Sequence, residues 1–414
     1  MNVAVGLIEQ TPAVEVELTG TFTDALGKPY TPGRYRFTSE VTLAPSDLAS
    51  CAFALDDVKI GIGFHWERQE RQVFRGDLQL LKREAGLTVI NDVPLEEYVT
   101  SVISSEMSAS CPLELLKAHA VISRSWLRFP KANSDRPAKP NLDLTTKPQS
   151  RGLDSHEILR WYGREAHPDF DVCGDDHCQR YQGITKAFSL AAAEAVRATT
   201  GEFLRYQGAI CDARFSKSCG GITERYMTAW EDKDIPYLET VYDSPTQSRS
   251  DNSENWIRSS PPAYCNTDHA ELLSRVLPGF DQETRDFYRW RVVYAPEELA
   301  DIIKSRLGVN LGPIRDIQAL ARGPSGRIYR LKVTGERDYI IVGKELEIRR
   351  ALSRTHLYSS AFVVDQESGR LILQGAGWGH GVGLCQIGAA VMANQGMTYR
   401  EILQHYYRGT TVSA

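Results

Sequence analysis

Residues 3–92 alternate apolar and polar positions, in VAVGLI, VEVELTG, YRFTSEVTL and LQLLKREAGLTVIN, with Gly, Asp and Pro between the runs. A period of two sends successive side chains to opposite faces of a strand, so this stretch predicts an antiparallel β-rich region over 1–92. The period changes at Pro94. Leu95, Tyr98, Val99, Val102 and Ile103 recur at helical spacing, and the stripe ends at Glu106-Met107. A second helix is predicted at about 112–129, opened by Pro112 with Glu114 in its first turn, and others at about 185–198 and 296–307.

Between these helices, 130–183 dissolves into Pro, Lys, Asp and Ser and reads as an irregular insertion; 243–295 reads as a second one. Strand patterns return at RIYRLKVTG and DYIIVG. The end carries a glycine run at 375–383, a helix from about 385 to Gly396, and Thr398-Tyr-Arg-Glu401, a capping box opening the last helix. The expected fold is α+β, with mixed β-sheet regions and a helical core forming a cleft. Its parts are 1–92, 93–242 (with the insertion), 243–295 and a C-terminal α/β part, 296–414, that completes the cleft.

Of the 414 residues, 42% are hydrophobic and 24% charged, an ordinary globular balance. The net charge of −5, without clustered Lys/Arg and aromatics, argues against a nucleic-acid partner. No window approaches the ~18 apolar residues of a membrane helix. The N-terminus, MNVAVGLIEQTPAVEVE, shows no basic start or apolar core, so no export signal is read there.

Four features carry chemistry. Residues 95, 99, 102 and 106 fall within about 20° of one line on a helix, because eleven residues make about three turns. Glu106 therefore lies on the apolar stripe. Burial there would raise its pKa, as a general acid requires, whereas a frayed helix end or an ion pair with Arg124 or Lys117 would make it ordinary. The second feature is GAGWGHGVGLCQIG, 375–388. In an extended chain its glycines would leave one bare face for a ligand, with Trp378 as a platform for a sugar ring and His380 as a proton-transfer or orienting group. A glycine turn packed on protein is the alternative.

The third is His167-Pro-Asp-Phe-Asp-Val-Cys173-Gly-Asp-Asp-His177-Cys178, a donor set that suits a tetrahedral Zn²⁺ tying the insertion down. A Cys173–Cys178 disulfide or free thiols are the alternatives, and His156 is a substitute ligand. The other six cysteines, Cys51, Cys111, Cys211, Cys219, Cys265 and Cys385, show no pattern. The fourth is Ser216-Lys-Ser218-Cys-Gly220-Gly221, read as groove lining, since no nucleophile elbow surrounds either serine.

PLEEYVTSVISSEMSASCPLELLKAHAVISRSWL (94–127), FSKSCGGITE, Trp230, Pro236-Tyr-Leu238, Ser325-Gly-Arg327 and GWGHGVGLCQIGAAVMANQGMTYREILQHYY (377–407) resemble the stage II sporulation protein D and amidase-enhancer family. The resemblance implies a lytic transglycosylase of peptidoglycan glycan strands, with Glu106 as the single acid/base. It implies that Arg124, Ser216, Ser218, Gly220, Gly221, Trp378, His380 and Gln386 line the glycan cleft. A structural zinc at His167, Cys173, His177 and Cys178 is also implied. So are a cell-envelope location and a partnership with a cell-wall amidase or envelope complex. Lys217 and Cys219 depart from the small polar residues the family favours.

Overall fold

The computed structural model describes residues 1–62, 67–132, 156–163, 167–175, 177–187, 189–245, 252–277 and 286–414. Parts of both predicted insertions (133–155, 164–166, 176, 246–251 and 278–285) lie outside them. The fold is α+β, and the described residues build two main hydrophobic cores.

The first core starts from the alternating N-terminal segment. Strands Asn2–Thr11 and Gly86–Pro94 pair antiparallel at the heart of a seven-stranded sheet. Val14–Thr19 joins Gly33–Phe37, Ala52–Ile60 and Arg68–Phe74 in a four-stranded sheet. Val3, Val5, Val16, Leu18, Phe53 and Phe74 are buried together, as a period-two pattern with one face inward requires.

Strand Gly86–Pro94 passes directly into helix α1, Leu95–Glu106, which packs on helix α2, Leu113–Ala132. The apolar stripe of α1 faces inward: Tyr98, Val99, Val102 and Ile103 are fully buried. A later helix, Leu190–Ala198, begins five residues after the predicted start because the Ser189 hydroxyl accepts the N–H of Ala191 and caps it there.

The second core contains Trp290, Leu299, Ile303, Ile317, Leu331, Val342, Phe362 and Leu373. It joins helix Pro296–Leu307 to two sheets, one of Glu157–Leu159, Tyr339–Gly343, Ile328–Gly335 and Ile314–Arg322, the other of Arg289–Tyr294, Arg370–Ala376 and Phe362–Glu367. The region expected as one C-terminal part therefore divides. After Ala376 the chain returns to the first core, where helix Gln386–Asn394 packs on α2 and helix Tyr399–Tyr406 carries the predicted capping box. The glycine run is the crossing between the two cores.

Candidate functional site

Glu106 is the last residue of α1 and is half-buried. Its Oε1 accepts the main-chain N–H of Arg180 at 2.9 Å. The Lys217 ammonium donates to the Glu106 carbonyl at 3.4 Å, and the Arg180 guanidinium to the carbonyl of Ser105 at 3.4 Å. The helix end, left with orphan carbonyls, is thus closed by two cations brought from distant segments. The carboxylate is less buried than the stripe alone suggests because α1 ends there.

The donor to Glu106 comes from a segment that follows a Cys/His cluster. Ligand atoms of His167, Cys173, His177 and Cys178 all lie within 4.8 Å of one another. His167 Nε2 is 3.4 Å from Cys178 Sγ, and His177 Nδ1 is 3.5 Å from Cys178 Sγ and 3.8 Å from Cys173 Sγ. Sulfur and nitrogen on an ion with Zn–S of ~2.3 Å and Zn–N of ~2.0–2.1 Å stand about 3.5 Å apart at a tetrahedral angle. The four residues fit such an ion. Cys178, followed by the two histidines, holds the Cys173 thiol well below its usual range, the thiolate form a metal needs.

The sheet anchors this cluster. Val172–Cys173 adds in parallel to Asn2–Thr11, and the N–H of Gly174 reaches the carbonyl of Gly6 at 2.9 Å. Adjacent His177 and Cys178 both reach the cluster because the chain turns, the Cys178 N–H closing on the Asp175 carbonyl at 3.0 Å. Beyond Cys178, the Gln179 side-chain carbonyl accepts the Tyr98 hydroxyl at 3.0 Å, and Tyr181 stacks on Tyr98 at 5.4 Å. His156 lies elsewhere, 3.2 Å from Asp338 and stacked on Tyr339.

For the glycine run the packed turn, not the extended strand, is what the structure shows. Gly377, Gly379, Gly381 and Gly383 all have left-handed φ, between 73° and 88°, so the run is not an extended strand. Its bare positions face protein. A Cβ at Gly381 would strike the Arg327 guanidinium, and one at Gly383 the Arg214 carbonyl. The fully buried Arg327 donates to the carbonyls of Gly379 and Cys219 at 3.0 and 3.1 Å, and so organises the run from inside. It was legible in the sequence only as part of Ser325-Gly-Arg327.

This winding turns Trp378 and His380 partly outward; both are half-buried. Trp378 stacks on Phe287 at 5.0 Å and meets the edge of Tyr358 at 4.9 Å, so its ring is already braced on protein. His380 Nδ1 accepts the N–H of Val382 at 3.0 Å, which assigns the ring proton to Nε2. Desolvation, then Arg214, Arg327 and Arg349, push the His380 pKa well below its usual value, keeping a neutral donor. Arg214 lies over Trp230 at 4.4 Å, and Trp230 meets His380 at 4.9 Å. Ser216 pairs across to Cys385 and would meet a Cβ at Gly379 at 3.3 Å, placing it beside the run.

Other expected groove residues are interior. Arg124 is fully buried, bound to Glu96 at 2.6 Å and to the Glu202 carbonyl at 3.1 Å; it ties core elements together. Gln386 is buried with its amide 3.1 Å from His119 Nε2. Ser218 is buried, its main chain paired with Trp378. Gly221 packs where a Cβ would meet the Trp256 ring at 2.7 Å, and Gly220 where one would meet the Gly377 nitrogen at 2.8 Å. These residues stand inside the protein, not along an exposed groove.

Fold and site together define an α+β protein with a glutamate at a helix end, a Cys/His cluster beside it and a wound glycine segment. Residues 83–206 match the family model described as "Stage II sporulation protein", and 224–383 match "Domain of unknown function (DUF8618)". The chain is 28% identical over 327 residues to stage II sporulation protein D of Bacillus amyloliquefaciens, covering 78% of this chain and 75% of that one. It is 24% identical over 333 residues to the amidase enhancer of Bacillus subtilis, 76% of this chain but 40% of the enhancer. An uncharacterized protein of Brachyspira hyodysenteriae is 24% identical over 414 residues, 96% of this chain and 92% of the relative. The chain carries a stage II sporulation protein domain, as its resemblance to the sporulation protein D and amidase-enhancer family implies. Among the described residues no helix is long and apolar enough to cross a membrane.

Proposed function

We propose that this protein is a lytic transglycosylase that cuts the MurNAc–GlcNAc linkage of peptidoglycan strands, with Glu106 as its single acid/base. The hydrogen bond from the Arg180 N–H to Glu106 Oε1 carries the reading, because it fixes one carboxyl oxygen and leaves the other for proton exchange. In the first half of the reaction the Glu106 proton goes to the bridging oxygen, which leaves with the GlcNAc side. In the second the carboxylate takes the proton of the MurNAc C6 hydroxyl as that oxygen bonds to C1. No water is consumed, unlike hydrolysis by two carboxylates.

His380, neutral with its proton on Nε2, would donate to a sugar hydroxyl, and Trp378 would offer its free edge to a ring. Zn²⁺ suits the donors of His167, Cys173, His177 and Cys178. Four protein ligands leave no position for a nucleophilic water, so its role would be structural. Such a substrate would place the protein's work in the cell envelope.

The test is mass spectrometry of products from peptide-free glycan incubated with wild type and Glu106→Gln. Anhydro-MurNAc ends from wild type, reduced about 10²–10⁴-fold in the variant, are expected. Reducing ends carrying added water would replace the lytic route by hydrolysis. The similarity to a protein named amidase enhancer supports a second reading, a glycan-binding module that stimulates an amidase. Glycan bound but uncut by wild type, with an amidase accelerated on addition, would decide for it.

A further inference from the structure

Three cysteines that show no spacing in the sequence converge inside the fold. Ligand atoms of Cys219, Asp243, Cys265 and Cys385 lie within 4.8 Å of one another, and all four residues are buried. Cys219 Sγ is 3.6 Å from Cys265 Sγ and 3.4 Å from Asp243 Oδ2. On a tetrahedral ion with bonds of ~2.3 Å to sulfur and ~2.0 Å to oxygen, the sulfur–sulfur edge is about 3.8 Å and the sulfur–oxygen edge about 3.5 Å.

The surroundings are those of bound thiolates. The N–H of Cys219 points at Cys385 Sγ at 3.2 Å, that of Gly221 at Cys219 Sγ and that of Gly388 at Cys385 Sγ, each at 3.4 Å. Cys385 is also the N-cap of helix Gln386–Asn394, where the helix dipole favours negative charge. The carboxylate is oriented: Asp243 Oδ1 takes the Tyr406 hydroxyl at 2.7 Å and lies 3.5 Å from His405 Nε2, which leaves Oδ2 to the sulfurs. Helix Gln386–Asn394 has Gly388 at the contact, since a Cβ there would overlap Asp243 Oδ2 and the Tyr406 oxygen.

We propose that Cys219, Asp243, Cys265 and Cys385 form a second metal site, for a divalent ion of borderline softness such as Zn²⁺. Three thiolates and a carboxylate in an interior need a cation to offset their charge, and this donor set selects zinc over harder ions. Thiol protons leave to solvent as the ion enters. The ion joins the start of the 243–295 segment to the Ser218–Trp378 pairing, and so braces the glycine run from behind.

Native mass spectrometry of full-length protein produced with zinc and reductant tests this. A Cys173→Ser/Cys178→Ser variant, without the outer cluster, is expected to retain one zinc per chain, and adding Cys265→Ser should remove it. Should the triple variant fail to fold, cobalt substitution of the double variant provides the readout. A thiolate-to-cobalt charge-transfer band of three-thiolate intensity is expected, and Asp243→Asn should shift the cobalt d–d bands while leaving that band. A folded double variant without metal, without that band, or lighter by the two hydrogens of a Cys219–Cys265 disulfide overturns the proposal.

Discussion

The two sulfur clusters differ in how they are assembled. His167, Cys173, His177 and Cys178 fall within twelve residues on a surface-facing turn, half-buried or exposed. Cys219, Asp243, Cys265 and Cys385 come from four separate segments and are wholly interior. The first can form as soon as its loop closes, whereas the second exists only once the first core has brought four distant segments together, the start of the helix after Cys385 among them. The outer cluster borders Glu106 through Arg180; the inner one borders the glycine run.

This contrast can be broken by experiment, the largest effect being on activity. Cys178→Ser should lower glycan cleavage by about 10–100-fold, as loss of metal support commonly does, with Glu106 intact. Cys265→Ser should lower the melting temperature more than Cys178→Ser does, with the smaller loss of turnover in the protein that remains folded. Equal effects of the two variants on both readouts would erase the distinction.

The next effect is steric. Gly388→Ala is expected to cost about 1–3 kcal/mol in denaturant unfolding by overpacking Asp243 and Tyr406, although alanine favours a helix. A neutral or stabilising result would mean that the inner cluster has room to relax.

Acid sharpens the comparison further. Burial pushes the His119 pKa down to about 3 from 6.5, and both ring nitrogens are engaged, with Ser123 and Gln386 beside Cys385. The unfolded chain therefore takes up the proton first. Stability is full above about pH 6.5 and falls toward pH 3, by about 1.4 kcal/mol per pH unit for this group. A His119→Gln variant should show a shallower decline in unfolding free energy between pH 6 and 4, and an unchanged slope would remove His119 as its source. The smallest effect belongs to the outer rim, where the exposed Arg83 pairs with the half-buried Asp169. Arg83→Ala should leave the melting temperature and zinc content at wild-type values.

Much of this organisation was readable beforehand. The stripe of α1 and the capping box at Thr398 follow from local spacing, and the outer cluster was visible because its ligands are neighbours in sequence. The inner cluster was not, since residues 219, 243, 265 and 385 meet only through tertiary packing. Period-two glycines could not distinguish an extended strand from left-handed winding, because glycine accepts both. The family resemblance places Arg124 and Gln386 in the groove, yet Glu96 and His119 satisfy them inside the protein.

The donor that holds Glu106 belongs to the backbone. Its persistence does not depend on which side chain stands at residue 180: arginine, alanine or glutamate would all present the same N–H. Proline is the exception, since it has no N–H to offer. Substitution scans of this position should therefore lose the contact to Oε1 at proline, whereas any replacement of the arginine gives up the separate guanidinium bond to the Ser105 carbonyl, and the two losses can be told apart without solving another structure.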